Sequence, residues 1–208
     1  LVPDGGSLNE ITIEEKGILH LTIKCNGHSA HAARPWLGDN PLERLIDAVS
    51  RLRKDFDSLS INKDHWHPTC TLTILKTPNQ TVNCIPSEAE GALDVRFPAP
   101  YTTKEILDRI CNLLGDEIDT HTIMSAEPTR FTPDPLYLSV SEEITGKSTI
   151  QKKEDGGSDA RFIGQYNIPV IISRPIVGEL HSLDEWIDIS SMETFYHIYE
   201  RYLERKLL

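Results

Sequence analysis

Two histidines and an arginine crowd the stretch Gly27-His28-Ser29-Ala30-His31-Ala32-Ala33-Arg34-Pro35, among residues small enough to let another group come close. Imidazole titrates near neutral pH, so such a loop can supply an acid, a base or a metal ligand. The i, i+3 spacing of His28 and His31 does not choose among these, and a loop histidine can also serve only as a hydrogen-bonding residue. His181 stands in a second polar loop, residues 178–186, with Glu179, Asp184 and Glu185 nearby. Acidic neighbours suit a metal ligand or an acid–base group; the alternative is a surface histidine. Gly156-Gly157-Ser158-Asp159-Ala160-Arg161 opens a short helix, where exposed amides and a guanidinium favour an anion such as a carboxylate. A plain capped helix start is the other reading. His65 and His67 fall in a polar loop and are expected to be exposed and without a role. Glu142 and Glu143 lie in a predicted helix, where adjacent carboxylates diverge, so they read as a solvated face. No G-x-S-x-G, phosphate loop, dinucleotide fingerprint or H-E-x-x-H occurs.

These residues need elements to hold them. Residues 1–16 read as polar, with a turn at Gly5-Gly6. Leu19, Leu21, Ile23 and Cys25 alternate with His20, Thr22 and Lys24, the pattern of a half-buried strand. After the histidine loop, Pro41 takes a first-turn position, and Leu42, Leu45, Ile46, Val49, Leu52 and Phe56 mark one helical face. Residues 57–68 form a polar loop. Cys70, Leu72 and Ile74 predict a second strand, and Leu93, Val95 and Phe97 a third, stopped by Pro98 and Pro100. Thr102 and Glu105 form a capping-box pattern before a helix with Ile106, Leu107, Ile110, Leu113 and Leu114. A strand near 117–123 completes β-α-β-β-α-β, an order that predicts a ferredoxin-like sandwich.

Composition shifts at residues 127–135, which hold three prolines. Beyond them, 136–146 predicts a helix ending at Gly146, and 148–151 a short strand. The apolar run 168–173 predicts a strand buried on both faces. A last helix follows, with Ser190 and Glu193 as its capping box and Met192, Phe195, Tyr196, Tyr199, Tyr202 and Leu203 as its apolar stripe. This tail is α/β in style and resembles half of a larger sheet.

A net charge of −11 argues against nucleic acid and anionic membrane as partners. A small molecule or a divalent cation fits better. No apolar run reaches the roughly 18 residues of a membrane helix, and the start shows no signal peptide. Cys25, Cys70, Cys84 and Cys111 have no C-x-x-C spacing. They read as core thiols of a reducing cytoplasm, with disulfides or zinc as the alternative.

Six pieces in one order resemble a known family. They are Glu15-Lys16-Gly17; Gly27-His-Ser-Ala-His31 with Pro35, Gly38 and Asn40; Asn83-x-Ile-Pro86; Asp94-x-Arg96; Gly157-Ser-Asp-Ala-Arg161; and His181 with Glu185. Together they resemble the zinc metallopeptidase family of acetylornithine deacetylase, succinyl-diaminopimelate desuccinylase, carboxypeptidase G and aminoacylase. The resemblance implies a ferredoxin-like lid that dimerises, at 17–125, flanked by segments of a zinc-binding α/β domain at 1–16 and 126–208. It also implies roles. His31 would reach the active site of a homodimer partner and polarise the scissile carbonyl, while Asn83 and Arg161 would bind substrate. His181 and Asp4 would be metal ligands. The implied substrate is an N-acyl amino acid or small peptide, and the cofactor is two zinc ions per active site, with cobalt or manganese as substitutes.

One departure limits what this chain can do. None of the eight histidines is followed two positions later by aspartate, so the family's H-x-D ligand motif is absent, and with it the half-domain in which the resemblance places that motif and a catalytic Glu-Glu pair. The chain therefore reads as the C-terminal part of such a hydrolase, inactive alone. The competing reading is a non-catalytic dimerisation or binding module.

Overall fold

Leu19, Leu21, Ile23 and Cys25 are fully buried, as their alternation requires, and the strand that carries them stands at the centre of the larger sheet. The computed structural model describes residues 1–60, 65–164, 166 and 168–208. In chain order the elements are β1 (Glu10–Glu15), β2 (Gly17–Asn26), β3 (Ala30–His31), α1 (Pro41–Ser58), β4 (Thr69–Lys76), β5 (Cys84–Ile85), β6 (Glu88–Phe97) and α2 (Thr103–Leu114). Then come β7 (Ile118–Ala126), β8 (Thr129–Arg130), α3 (Pro135–Thr145), β9 (Ile150–Glu154), α4 (Ala160–Gly164), β10 (Val177–Gly178), β11 (Trp186–Ile187) and α5 (Ile189–Leu207). Two units result: Gly17–Pro128, and Leu1–Lys16 together with Thr129–Leu208.

In the unit Gly17–Pro128, the sheet runs β4-β6-β2-β7, antiparallel throughout. That is the strand order of the expected ferredoxin-like sandwich. Leu45, Ala48, Leu52 and Phe56 of α1 and Ile106, Ile110 and Leu114 of α2 close over the stripe of β2 and over Leu93, Val95 and Phe97 of β6. Asn40 caps α1 by accepting from the Leu42 amide at 3.2 Å, and the Thr102–Glu105 capping box forms in both directions. Two expected core residues face out. Ile46 is exposed because the buried stripe of α1 is centred on positions 45, 48, 52 and 56. Ile74 is exposed because the register of β4 shifts between Leu72 and Ile74, and one extra residue moves a side chain to the other face.

In the unit formed by Leu1–Lys16 and Thr129–Leu208, the central strand is β1, lying antiparallel to β8 and parallel to β9. Residues 1–16 read as merely polar, so this strand is a correction. Its charges are answered sideways: Glu14 pairs with Arg130 and Lys153, and Glu10 with Lys152, while Ile11 and Thr12 are buried. The run 168–173 is a second correction. Residues 170–173 are buried, but among the described residues their strand-like backbone contacts come down to an isolated bridge from Ile172 to Val2, with bonds from Val2 N and Thr12 N to Ile171 O and Ile172 O at 2.8 and 3.1 Å. Pro169 lies within the run and Pro175 just beyond it, and proline cannot donate to a ladder.

Helix α3 begins at Pro135 with Asp134 as cap and ends at Gly146 in the left-handed conformation. The cap of α5 is Asp188, which accepts from Ser190 and Ser191 amides, so Ser190 does not serve as expected. Tyr137, Val140, Ile198 and Tyr202 pack with Ile11 between the helices and β1. The Tyr202 hydroxyl donates to Asp134 at 2.8 Å. Met192, Tyr196 and Leu203 are exposed.

All four cysteines are free. Cys25 is a core thiol and Cys70 is half-buried, its pKa pushed up to about 12 by burial, whereas Cys111 is exposed. No described helix is long and apolar enough to cross a membrane.

Leu21→Ala opens a cavity in the sealed face of β2 and is expected to cost about 2–5 kcal/mol in urea unfolding. Ile123→Ala, at an exposed position of β7, is expected to stay within about 0.5 kcal/mol of the parent. Equal losses would contradict this packing.

Candidate active site

The histidine loop is built by backbone contacts at the end of β2. The Gly27 amide donates to Ser87 O at 2.8 Å, and His28 and Asp39 exchange two bonds of 2.9 Å. His28 thus supports the loop through its main chain. Gly27 has to be glycine, since a Cβ there would run into the Asp39 carbonyl. At Gly38 a Cβ would lie 2.8 Å from Ala30 Cβ and 3.0 Å from His28 O.

Beyond this clamp, β3 pairs antiparallel with β5, Ala30 opposite Ile85 and His31 opposite Cys84. The Ala32 amide donates to Asn83 O at 2.9 Å. His31 and Asn83, far apart in sequence, therefore stand side by side, both exposed. The Ala33 amide donates to His31 Nδ1 at 3.1 Å. A nitrogen that accepts from N–H carries no proton, so the neutral ring holds its proton on Nε2 and presents it as a donor. A cleft of about 580 Å3 opens beside β5, lined by Pro35, Gly38, Asp39, Asn79 and Cys84; neither His31 nor Asn83 lines it.

Asp94 and Arg96, one of the six family-like pieces, do something else. Arg96 donates twice to Asp94, at 2.6 and 3.0 Å, and Asp94 Oδ2 meets His20 Nε2 at 3.0 Å. The Arg96 guanidinium holds the Asp94 carboxyl below its usual range. The cluster ties β6 to β2 on the face away from the helices.

The other unit holds Asp4, Arg161 and His181. Asp4 is exposed, just before Gly5 and Gly6, whose φ values of 151° and 63° favour glycine. Glu15, at the end of β1, is only 3% exposed. Its Oε1 accepts from Ser158 N at 3.0 Å and Ser158 Oγ at 2.6 Å. Burial lifts the Glu15 carboxyl above its usual range, against the pull of Ser158 and Arg161, and Asp4 adds to the rise. Ser158, Arg161 and Asp4 are therefore all within electrostatic reach of Glu15. Glu15 Oε2 and Arg161 Nε and Nη1 are buried without a hydrogen-bond partner.

His181 and Glu179 both adopt positive φ, 63° and 51°. Such strain in non-glycine residues persists only where surrounding contacts impose it. Here Glu185 accepts from the His181 amide at 3.1 Å, and β10 and β11 close the loop, Gly178 opposite Trp186. A Cβ at Gly178 would collide with the Trp186 indole. Among the described residues, no three histidine, cysteine, aspartate or glutamate side chains form a group able to hold a metal ion.

The model of the peptidase dimerisation domain matches residues 13–122. The chain belongs to this family. It is 28% identical over 205 residues to succinyl-diaminopimelate desuccinylase of Anaplasma marginale, covering 94% of this chain and 52% of that protein. The enzyme of the same name from Parvibaculum lavamentivorans is 29% identical, with 93% and 51% covered. The chain thus spans about half the length of the curated relatives it matches. Among solved structures, a tripeptidase from Staphylococcus aureus superposes with a TM-score of 0.81 at 16% identity, covering 96% of this chain and 54% of that one. A metallo-carboxypeptidase from Sulfolobus solfataricus gives 0.72 at 15%, with 96% and 61% covered. These likenesses establish the fold.

The sequence pointed to His31 and Asn83 as separate residues; their adjacency came only with the β3–β5 pairing. Glu15 was legible as part of a motif, without its contact to Ser158. Gly27→Ala is expected to destabilise the unit by about 1–3 kcal/mol through overpacking. Gly156→Ala, where a Cβ meets nothing within 4 Å, should change stability by less than about 0.5 kcal/mol. Chemical denaturation of the two variants checks both.

Proposed function

We propose that this chain is the lid and C-terminal segment of a metal-dependent amidohydrolase that cleaves the amide of an N-acyl amino acid or small peptide, with an N-succinyl amino acid as the favoured substrate. Residues 17–125 would form the lid, and 1–16 with 126–208 would belong to the zinc-binding domain. The observation that carries the reading is the juxtaposition of His31, on β3, with Asn83, just before β5, and the bond from the Ala33 amide to His31 Nδ1, which leaves Nε2 to carry the proton of the neutral ring. A donor held rigidly by backbone contacts can stabilise charge growing on a carbonyl oxygen as water attacks. The side-chain amide of Asn83 would orient the same group. Arg161, with two buried donors uncommitted, suits a substrate carboxylate. The desuccinylases among the relatives favour the acyl group named.

The described residues do not fit a catalytic zinc by themselves. Asp4 and His181 offer one carboxylate and one imidazole, where such a site needs three protein ligands, and no third group joins them among the described residues. In this reading they are two ligands of a set completed by residues outside the chain. The purified 208-residue chain is then expected to bind zinc weakly and to release no product from N-succinyl amino acids. Stoichiometric tight zinc, or hydrolysis by the chain alone, would sink the reading. In the complete protein, His31→Ala is expected to lower kcat by about 10²–10³-fold; near-normal turnover would refute the role of His31.

A dimerisation role is favoured by a separate observation and is compatible with the first. Strand β4 ends one edge of the sheet and exposes Ile74 and Leu75, and an unpaired edge is a template for a second chain. In this reading the lid forms a homodimer, and His31 serves the partner's active site. Ile74→Lys is expected to shift the species from dimer to monomer in sedimentation, whereas an unchanged dimer would move the interface elsewhere.

A further inference from the structure

Glu15-Lys16 and the glycine turn before Arg161 lie far apart in the chain, and the structure joins them at two points. The Glu15 carboxylate accepts both donors of Ser158, the amide at 3.0 Å and the hydroxyl at 2.6 Å. The buried Lys16 ammonium reaches Asp155 Oδ1 at 2.6 Å. Consecutive residues at the end of one central strand thus hold both ends of the turn 155–158. Between them lies Gly156, around which a Cβ would meet nothing within 4 Å. The strand is itself fixed, because Glu15 pairs with Thr129 on one side and Glu154 on the other.

Ser158 passes this constraint on. Its hydroxyl accepts from the Ala160 amide at 3.3 Å, and its carbonyl accepts from the Arg161 amide at 3.4 Å. What Glu15 does not do is equally informative. Its second oxygen is buried and bonded to nothing, and so are Nε and Nη1 of Arg161. A carboxylate near a guanidinium ordinarily pairs with it. Here the carboxylate binds serine instead, and the guanidinium keeps two donors for something else.

We propose that Glu15 is a positioning residue: by holding Ser158 it sets the turn that aims the Arg161 guanidinium at a ligand carboxylate. The inference rests on the reading of Arg161 as the carboxylate anchor. Lys16 is the second pin of the same clasp. Gln at position 15 keeps an oxygen that can accept from Ser158, whereas Ala removes it.

Hydrogen exchange of the 156–161 amides and steady-state kinetics of the complete protein test this together. Glu15→Ala is expected to speed exchange at Ser158, Ala160 and Arg161, and Glu15→Gln to restore protection. With an N-succinyl amino acid, Glu15→Ala should raise KM about tenfold or more with little change in kcat, the pattern of lost ground-state and transition-state binding alike. With the same substrate capped as its C-terminal amide and with its succinyl carboxylate methyl-esterified, the variant and parent should match. Ser158→Ala should reproduce the KM effect, which keeps the test alive if Glu15→Ala does not fold. Equal KM effects on both substrates, or unchanged exchange in Glu15→Ala, would overturn the proposal. If Arg161→Ala leaves KM for the carboxylate substrate unchanged, the anchor reading fails, and the exchange data still decide whether Glu15 sets the turn.

Discussion

Strand β2 is hydrogen-bonded along both edges, and the placement of His31 depends on it. Its ladder with β6 runs from Gly17 opposite Phe97 to Asn26 opposite Glu88. The end of β2 and the start of β6 therefore lie together, and so do the short strands next to them in sequence. β3 follows β2 and β5 precedes β6, so pairing of the long strands delivers His31 to Cys84 and Asn83. The buried stripe of β2 fixes the register, because a slip of one residue would turn Leu19, Leu21, Ile23 and Cys25 away from the helices. The clamp between His28 and Asp39 then leaves the loop little freedom. A core whose driving force is hydrophobic thus sets the direction of one polar hydrogen.

The second unit presents its polar residues by other means. His181 is held by local strain, with Glu185 bonding its amide and Trp186 packed over Gly178. Arg161 is held through a relay from β1, and the cost of burying Glu15 is offset by two bonds from one serine. Both devices leave side-chain donors or acceptors uncommitted. Burial without a partner is costly in a finished protein, and in the function proposed here the two orphaned nitrogens of Arg161 are the donors left for a substrate carboxylate.

Much of the fold was legible because period-two and period-3.6 patterns report burial directly. β2, β6, α1 and α2 all follow that logic, and the capping box at Thr102 located its helix to the residue. β1 escaped notice because glutamates outnumber its apolar residues, and their partners on β8 and β9 come from distant sequence. The run 168–173 misled for the opposite reason: its burial was readable, but Pro169 within it and Pro175 just beyond it deny it a ladder. At α5 two residues competed for the cap, and Asp188 won because its carboxylate reaches two amides. Of the candidate site, residue types were visible and contacts were not. His31 beside Asn83 follows from long-range strand register, and Glu15 on Ser158 joins two stretches that only the folded chain brings together.

The proposed role of His31 depends on which nitrogen carries the proton: Nδ1 faces the Ala33 amide as its acceptor, so Nε2 is the nitrogen left to donate to a developing oxyanion. Long-range 1H–15N correlation of the His31 imidazole in the folded chain at neutral pH measures this directly. The account predicts a bare, hydrogen-bond-accepting Nδ1 and a protonated Nε2. A ring protonated at Nδ1 would contradict it.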